Sequence, residues 1–226
     1  HLFRAMRDSL LRLTNFIGGD YCAPATKAYL PVFEPATGKI YAEVPDSDAA
    51  DVDSAIAAAA SAQTNWSNTA PSARAACLRR IADLIESRLD ALAEEESRDS
   101  GKPVKLARNV DIPRAVANFR FFAAMAETFT SESHHGEAGT LNYTLRQPLG
   151  TVACISPWNL PLYLLSWKIA PALAAGNCVI AKPSEITPVS AWLLGEIVQE
   201  AQLPAGVLNI IHGSGARCGA ALVGHP

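Results

Sequence analysis

From Thr151 to Val223 the chain alternates short apolar runs with longer stretches of helical period, and that alternation constrains its fold more than any other feature. Thr151 to Ile155, Cys178 to Ala181 and Val207 to Ile211 read as buried strands. Leu162 to Ala174, Pro188 to Ala201 and Gly215 to Val223 read as the helices that follow them. Strands separated by helices of this length predict right-handed βαβ units in a parallel sheet, so the expected class is α/β. About three parallel strands with no partner beyond Pro226 would leave an exposed edge, and the sheet is therefore expected to continue in a larger domain.

The amino-terminal part has a different period. Asn15 to Asp20 predicts a short strand meeting a Gly18-Gly19 turn, and Pro35 to Lys39 a second turn. Ala49, Val52, Ile56, Ala59 and Ala60 recur at helical spacing, with aspartates in the first turn, and define a helix from Ser47 to about Trp66. A longer helix is predicted from Pro71 to about Asp99, with Leu78, Ile81, Ile85, Leu89 and Leu92 on one face. A third, bent near Pro113, runs from about Val104 to Phe129. Ser131 to Thr140 is polar, and Leu141 to Arg146 alternates as a hairpin strand would. The opening residues, with Arg4, Arg7 and Arg12 among Leu and Met, predict a helical extension rather than a targeting peptide.

Composition removes several function classes. A formal charge of −3, with basic and acidic residues dispersed, gives no footprint for nucleic acid or an anionic membrane. Lys168 and Pro171 interrupt the longest apolar candidate, so no spanning helix is expected. Five widely spaced cysteines without a CxxC pair favour neither a zinc site nor a disulfide framework, and no metal is expected; a reducing, cytoplasmic location fits them. Cys154 and Cys178 lie within apolar strands and should be inert thiols.

Chemistry is concentrated after the strands. Asn159, in Ile155-Ser156-Pro157-Trp158-Asn159-Leu160-Pro161, follows a strand's carboxyl end, where open α/β sheets handle ligands. Its amide suits an oxyanion donor, or equally a cap for the helix that begins beside it. Lys182 and Glu185 leave the next strand, a cation and a carboxylate fit for ribose hydroxyls or, alternatively, a solvated lysine and a first-turn glutamate. Gly213, Gly215 and Gly219 lie between a strand and a helix, with the third glycine one residue late for GxGxxG; a plain turn explains them as well.

Together, Ile155 to Leu162, Ala175 to Glu185 and Leu203 to Ile211 strongly resemble the aldehyde dehydrogenase superfamily, and the similarity extends from Asn15 to Pro226. Asp111-Ile112-Pro113-Arg114, Asn118 to Phe122 and Pro161 to Lys168 are similar to the branch acting on 2-aminomuconate or 2-hydroxymuconate 6-semialdehyde. The resemblance implies the amino-terminal half of an NAD-dependent enzyme with a Rossmann-like fold. Residues 1–134 would be the helical part of the NAD-binding domain, 135–153 a protruding oligomerisation hairpin, and 154–226 the βαβ cofactor core. Asn159 would be the oxyanion donor, and Ser156, Pro157, Trp158, Lys182, Ser184, Glu185, Gly215 and Gly219 would contact NAD. Arg120 would hold the carboxylate of the aldehyde substrate, since a planar guanidinium suits bidentate capture, or else pack its stem on the helix with its head at solvent or an acid, the reading preferred for Arg114. The nucleophilic cysteine and the water-activating glutamate of the family have no counterpart here, so the chain alone is expected to be inactive, and the full-length protein a homodimer or homotetramer. A non-catalytic nucleotide-binding or interaction module is the alternative.

Overall fold

A computed structural model describes residues 10–226; the helical extension expected at the start falls largely on residues 1–9, outside the described residues. Arg12 itself belongs to a strand. The elements in chain order are β1 (Leu11–Arg12), β2 (Asn15–Ile17), β3 (Asp20–Cys22), β4 (Tyr29–Glu34), β5 (Lys39–Pro45), α1 (Ala49–Ser67), α2 (Pro71–Ser87), α3 (Leu89–Ser100) and the short α4 (Val104–Leu106). After a π-turn at Ala107–Asp111 come α5 (Ile112–Thr128), β6 (Ser133–His135), β7 (Leu141–Tyr143), β8 (Thr151–Ile155), α6 (Pro161–Ala174), β9 (Cys178–Lys182), α7 (Val189–Glu200), β10 (Leu208–Ile210) and α8 (Ala220–Val223).

The main sheet has the order β3-β2-β10-β9-β8. Its last three members are parallel, as the alternation requires, and β9 is buried along all five residues because helices cover both faces. The open edge expected beyond β10 is closed from within the chain. Phe16 of β2 pairs antiparallel with Ile210, and β3 continues the sheet outward. The amino-terminal hairpin returns to this edge across nearly two hundred residues, a pairing that no local pattern contains. Gly18 and Gly19, at φ +63° and +92°, make the turn between β2 and β3.

The helical layer holds two departures from expectation. The predicted helix from Pro71 to Asp99 is two helices, broken at Arg88 (φ −109°, ψ 17°), whose guanidinium reaches Glu196 and Glu200 on α7. Near Pro113 the bend takes the form of the π-turn, since a proline offers no N–H to the carbonyl four residues before it. α2 packs on α5, α5 on α6, and α3 on α7, so this layer lies against the helices that cover the sheet. The β6–β7 hairpin stands apart. All six of its residues are exposed, and β6 forms inside the polar stretch by pairing backbone rather than by burial. The five cysteines are free, and among the described residues no helix is long and apolar enough to cross a membrane.

Candidate active site at the carboxyl end of the parallel strands

Strand register brings the ligand-handling loops together. Ile155 pairs with Lys182 and Ala181 with Ile210, so β8, β9 and β10 finish at one end of the sheet. The loop after β8 is tied to the loop after β9 by Ser156 N–H donating to the Lys182 carbonyl at 3.1 Å, and by the Thr187 hydroxyl donating to the Trp158 carbonyl at 3.2 Å.

Asn159 is exposed at this end, and among the described residues its amide has no partner. It does not cap α6: the N-cap is Leu160, without a side-chain cap bond. The physical reason is local. Pro161 has no N–H, and the N–H of Leu162 donates to Glu96 Oε2 at 3.2 Å, so the donors an asparagine would serve are absent or taken. Pro157 and Trp158 are exposed beside it, while Ser156 is buried with a hydroxyl that has no partner.

Lys182, buried, donates to the Pro183 carbonyl at 3.0 Å and to Glu185 Oε2 at 3.2 Å. Glu185 Oε1 accepts from Gly215 N–H at 3.2 Å. Partial burial alone would raise the Glu185 carboxyl; its own backbone N–H, Lys182 and the Gly215 N–H outweigh that and hold it below the usual range. An ionised carboxylate therefore bridges the second loop and the glycine loop. Ser184 is buried, and its hydroxyl accepts from Ile186 N–H at 3.2 Å, bracing the turn. Gly219 is buried against the Lys182 stem, and Gly215 is exposed. The sterically required glycine is Gly213: at φ +155°, a Cβ there would lie 2.6 Å from that of Cys218.

Arg120 is committed to acids on α2. Its guanidinium is held by Asp83 at 2.8 Å and Glu86 at 2.6 Å, on the face of α5 turned to α2. Asn118, two residues earlier and so about 200° round the helix, is the one that meets α6, donating to Ser166 Oγ at 2.9 Å. Arg114 lies toward α6 instead. Its Nη1 donates to the Tyr163 hydroxyl at 3.1 Å, its guanidinium lies 5.3 Å from the centre of that ring, and no carboxylate among the described residues pairs with it. Tyr163 belongs to the first turn of α6, and its ring meets the half-exposed Trp167 edge-on.

Four of the thiols are held in the protonated, unreactive form. Burial pushes Cys154, Cys178 and Cys218 up to about 11, and burial also raises Cys22. His212, fully enclosed, is pushed by burial down to about 3 and is a neutral imidazole rather than a working base.

Three residues supporting the site were missed in the sequence: Glu96, Asp99 and Lys102. Asp99 Oδ2 accepts from Val189 N–H, at the start of α7, at 2.9 Å, and Lys102 Nζ donates to the Asn159 carbonyl at 3.2 Å. A signal was present. The apolar stripe Ile85, Leu89, Leu92 continues at helical spacing onto Glu96 and Asp99, acids on a face that must be buried.

The Aldehyde dehydrogenase family signature matches residues 21–226. A 2-aminomuconic semialdehyde dehydrogenase of Bos taurus is 51% identical over 98% of this chain and 45% of its own length. A 2-hydroxymuconic semialdehyde dehydrogenase of Pseudomonas sp. (strain CF600) is 43% identical over 95% of this chain and 45% of its own. Among solved structures, an NAD+ complex of an aldehyde dehydrogenase from Bacillus cereus superposes with a TM-score of 0.94 at 34% identity, covering 98% of this chain and 45% of that one. The chain thus spans about 45% of the length of the curated relatives it matches.

Proposed function

The chain belongs to the aldehyde dehydrogenase family, and from that premise we propose that it forms the oxyanion-donor and nucleotide side of an enzyme oxidising a carboxylated semialdehyde of the 2-aminomuconate type to the acid with NAD. The observation that carries this is Asn159, an unpartnered amide presented at the same sheet end as the Lys182–Glu185 loop. An amide N–H there stabilises the negative charge that grows on an aldehyde oxygen under nucleophilic attack. Burial holds the Cys22, Cys154, Cys178 and Cys218 thiols in the protonated form, so in this reading the attacking thiolate comes from outside these four.

The residues present fit a dinucleotide. Glu185, ionised and partly exposed, accepts hydroxyl hydrogens of a ribose, and Lys182 keeps that carboxylate in place. A carboxylate at this position repels a 2'-phosphate, which favours NAD over NADP. Bound NAD supplies the hydride acceptor. Trp158 and Pro157 offer an exposed apolar rim, the Ser156 hydroxyl an unused polar atom, and the Gly215 and Gly219 segment a close approach to the sheet end.

Substrate choice falls to Arg114. Among the described residues it has no carboxylate partner, and it lies over Tyr163, four residues from Asn159, so a bidentate anion on the aldehyde meets a guanidinium whose charge is not yet paired there. Assembly falls to the segment from β6 to β8, where Leu141, Tyr143, Leu145 and Leu149 are exposed together, an arrangement that suits a homodimer or homotetramer.

The test is steady-state kinetics of the full-length protein with and without Asn159→Ala. Aldehyde-dependent NADH formation should fall about a hundred- to a thousandfold in the maximal rate. An unchanged rate would remove the oxyanion role.

A further inference from the structure

Glu96, Asp99 and Lys102 follow one another at steps of three along the inner side of α3 and off its end. We infer that this stripe is the positioning device of the site, gripping the backbone at Asn159 and just after it through Lys102 and Glu96, and holding the loop of Lys182 and Glu185 through Asp99. The inference rests on the roles proposed above for those three site residues.

The grip on the first loop is double. Lys102 Nζ donates to the Asn159 carbonyl at 3.2 Å, and Glu96 Oε2 accepts from the Leu162 N–H at 3.2 Å. Only Leu160 and Pro161 lie between the two held groups, and a proline ring has little freedom to absorb a shift. Lys102 is itself held by Asp111 from the π-turn and lies 3.6 Å from Glu96 Oε1. The second loop is held at its far end. Asp99 Oδ2 accepts from Val189 N–H at 2.9 Å, and its Oδ1 accepts from the Tyr41 hydroxyl at 2.6 Å. Thr187 to Trp158 links the two loops directly, closing a triangle on α3.

The rigidity of the reference element matters. Gly101 ends α3 in the left-handed region at φ +74°, where a Cβ would lie 2.9 Å from that of Pro35, and the Ser97 hydroxyl donates to the Lys102 carbonyl at 2.6 Å. Lys102 is thereby turned back under the loop. A helix that only needed capping would use a serine, threonine or aspartate at its own start. Here α6 and α7 both lack side-chain caps of that kind and take carboxylates from one neighbouring helix, at the expense of burying both acids almost completely. What the arrangement adds is a fixed relation between the amide and the ribose-handling pair. None of the three residues is placed against substrate or cofactor in this scheme, so they are positioning residues.

The experiment is kinetics and NAD titration of the full-length protein, with thermal melting alongside. Lys102→Met should lower kcat by about ten- to a hundredfold, the scale of a displaced catalytic group, while the Kd for NAD stays unchanged. Asp99→Ala should do the reverse, weakening NAD binding several-fold with a smaller change in kcat. Lys102→Arg and Asp99→Asn keep a donor and an acceptor and should recover most of each loss; where the harsher variants fail to fold, the smaller loss that remains in this pair must fall on kcat for Lys102→Arg and on NAD affinity for Asp99→Asn. Equal losses in both parameters, or a lowered melting temperature with both parameters intact, would overturn the positioning role. Asn159→Ala separates the two layers of argument: if it spares kcat, the proposed site itself has failed and the inference with it, whereas a crippled Asn159→Ala beside a fully active Lys102→Met overturns positioning alone.

Discussion

Arg120, with 45% of its side chain exposed, holds Asp83 and Glu86 across the seam of α2 and α5, whereas Lys102, with 11% exposed, holds Glu96 and Asp111 beneath the loop that carries Asn159. Each is a basic side chain between one aspartate and one glutamate. In the first cluster water competes for every charge, so the ion pairs contribute little net stability and could be rearranged at small cost. In the second the groups have left water, and removing one strands the others. Charge in this helical layer thus acquires structural weight through depth.

The contrast can be broken by mutation. Glu96→Ala should have the largest effect on stability, about 1–3 kcal/mol in urea unfolding, because it leaves the buried Leu162 N–H without its acceptor and Lys102 with one carboxylate in place of two. A small change there would mean the buried cluster is no more consequential than the surface one. Next comes Arg114→Ala, which should raise the Michaelis constant for a carboxylated aldehyde about tenfold or more by removing a charge-assisted contact, while leaving an uncharged aldehyde unaffected. Equal effects on both aldehydes would exclude it as the carboxylate anchor.

A gentler probe uses protons. Burial pushes the carboxyls of Glu96 and Asp99 up to about 7, above their ordinary values of 4.5 and 3.8. Within that interval the folded state binds more protons than the unfolded one, so the contribution is fully present below the lower values and is lost as pH rises through the upper one. Urea midpoints should therefore fall between about pH 4.5 and pH 7, and fall less in Asp99→Asn; identical slopes would show that these acids are not the source. Arg120→Ala should do least of all, leaving melting temperature and both kinetic constants close to the parent's. A selective loss of affinity for the carboxylated aldehyde in that variant would return the anchoring role to Arg120.

Much of this was legible in the sequence because local pattern and tertiary position agree there. The strands β8, β9 and β10 are apolar runs between turn residues, and the register of a parallel sheet then forces their following loops, with Asn159, Lys182 and Gly215, to one end. Asn159 as a cap was a live alternative on spacing alone. It fell because a glutamate more than sixty positions earlier takes the Leu162 N–H, a contact that no local pattern contains. Arg120 was not separable from Arg114 for a related reason. Its motif is shared with Arg114, and which of two arginines six residues apart on a bent helix faces α6 depends on the π-turn and on the acids waiting on α2. The break at Arg88 and the closure of the sheet by β2 were likewise set by distant partners, on α7 and β10.

That closure also orders the way the molecule can come into being. Phe16 finds its partner only when Ile210 has left the ribosome, so the first hairpin must wait, unmatched, through the synthesis of nearly everything described here. Such a long-range pairing makes folding slow relative to a helical bundle of similar size. Until it forms, β10 presents a bare strand to any neighbouring nascent chain, and the interval is one in which a chaperone has something to shield.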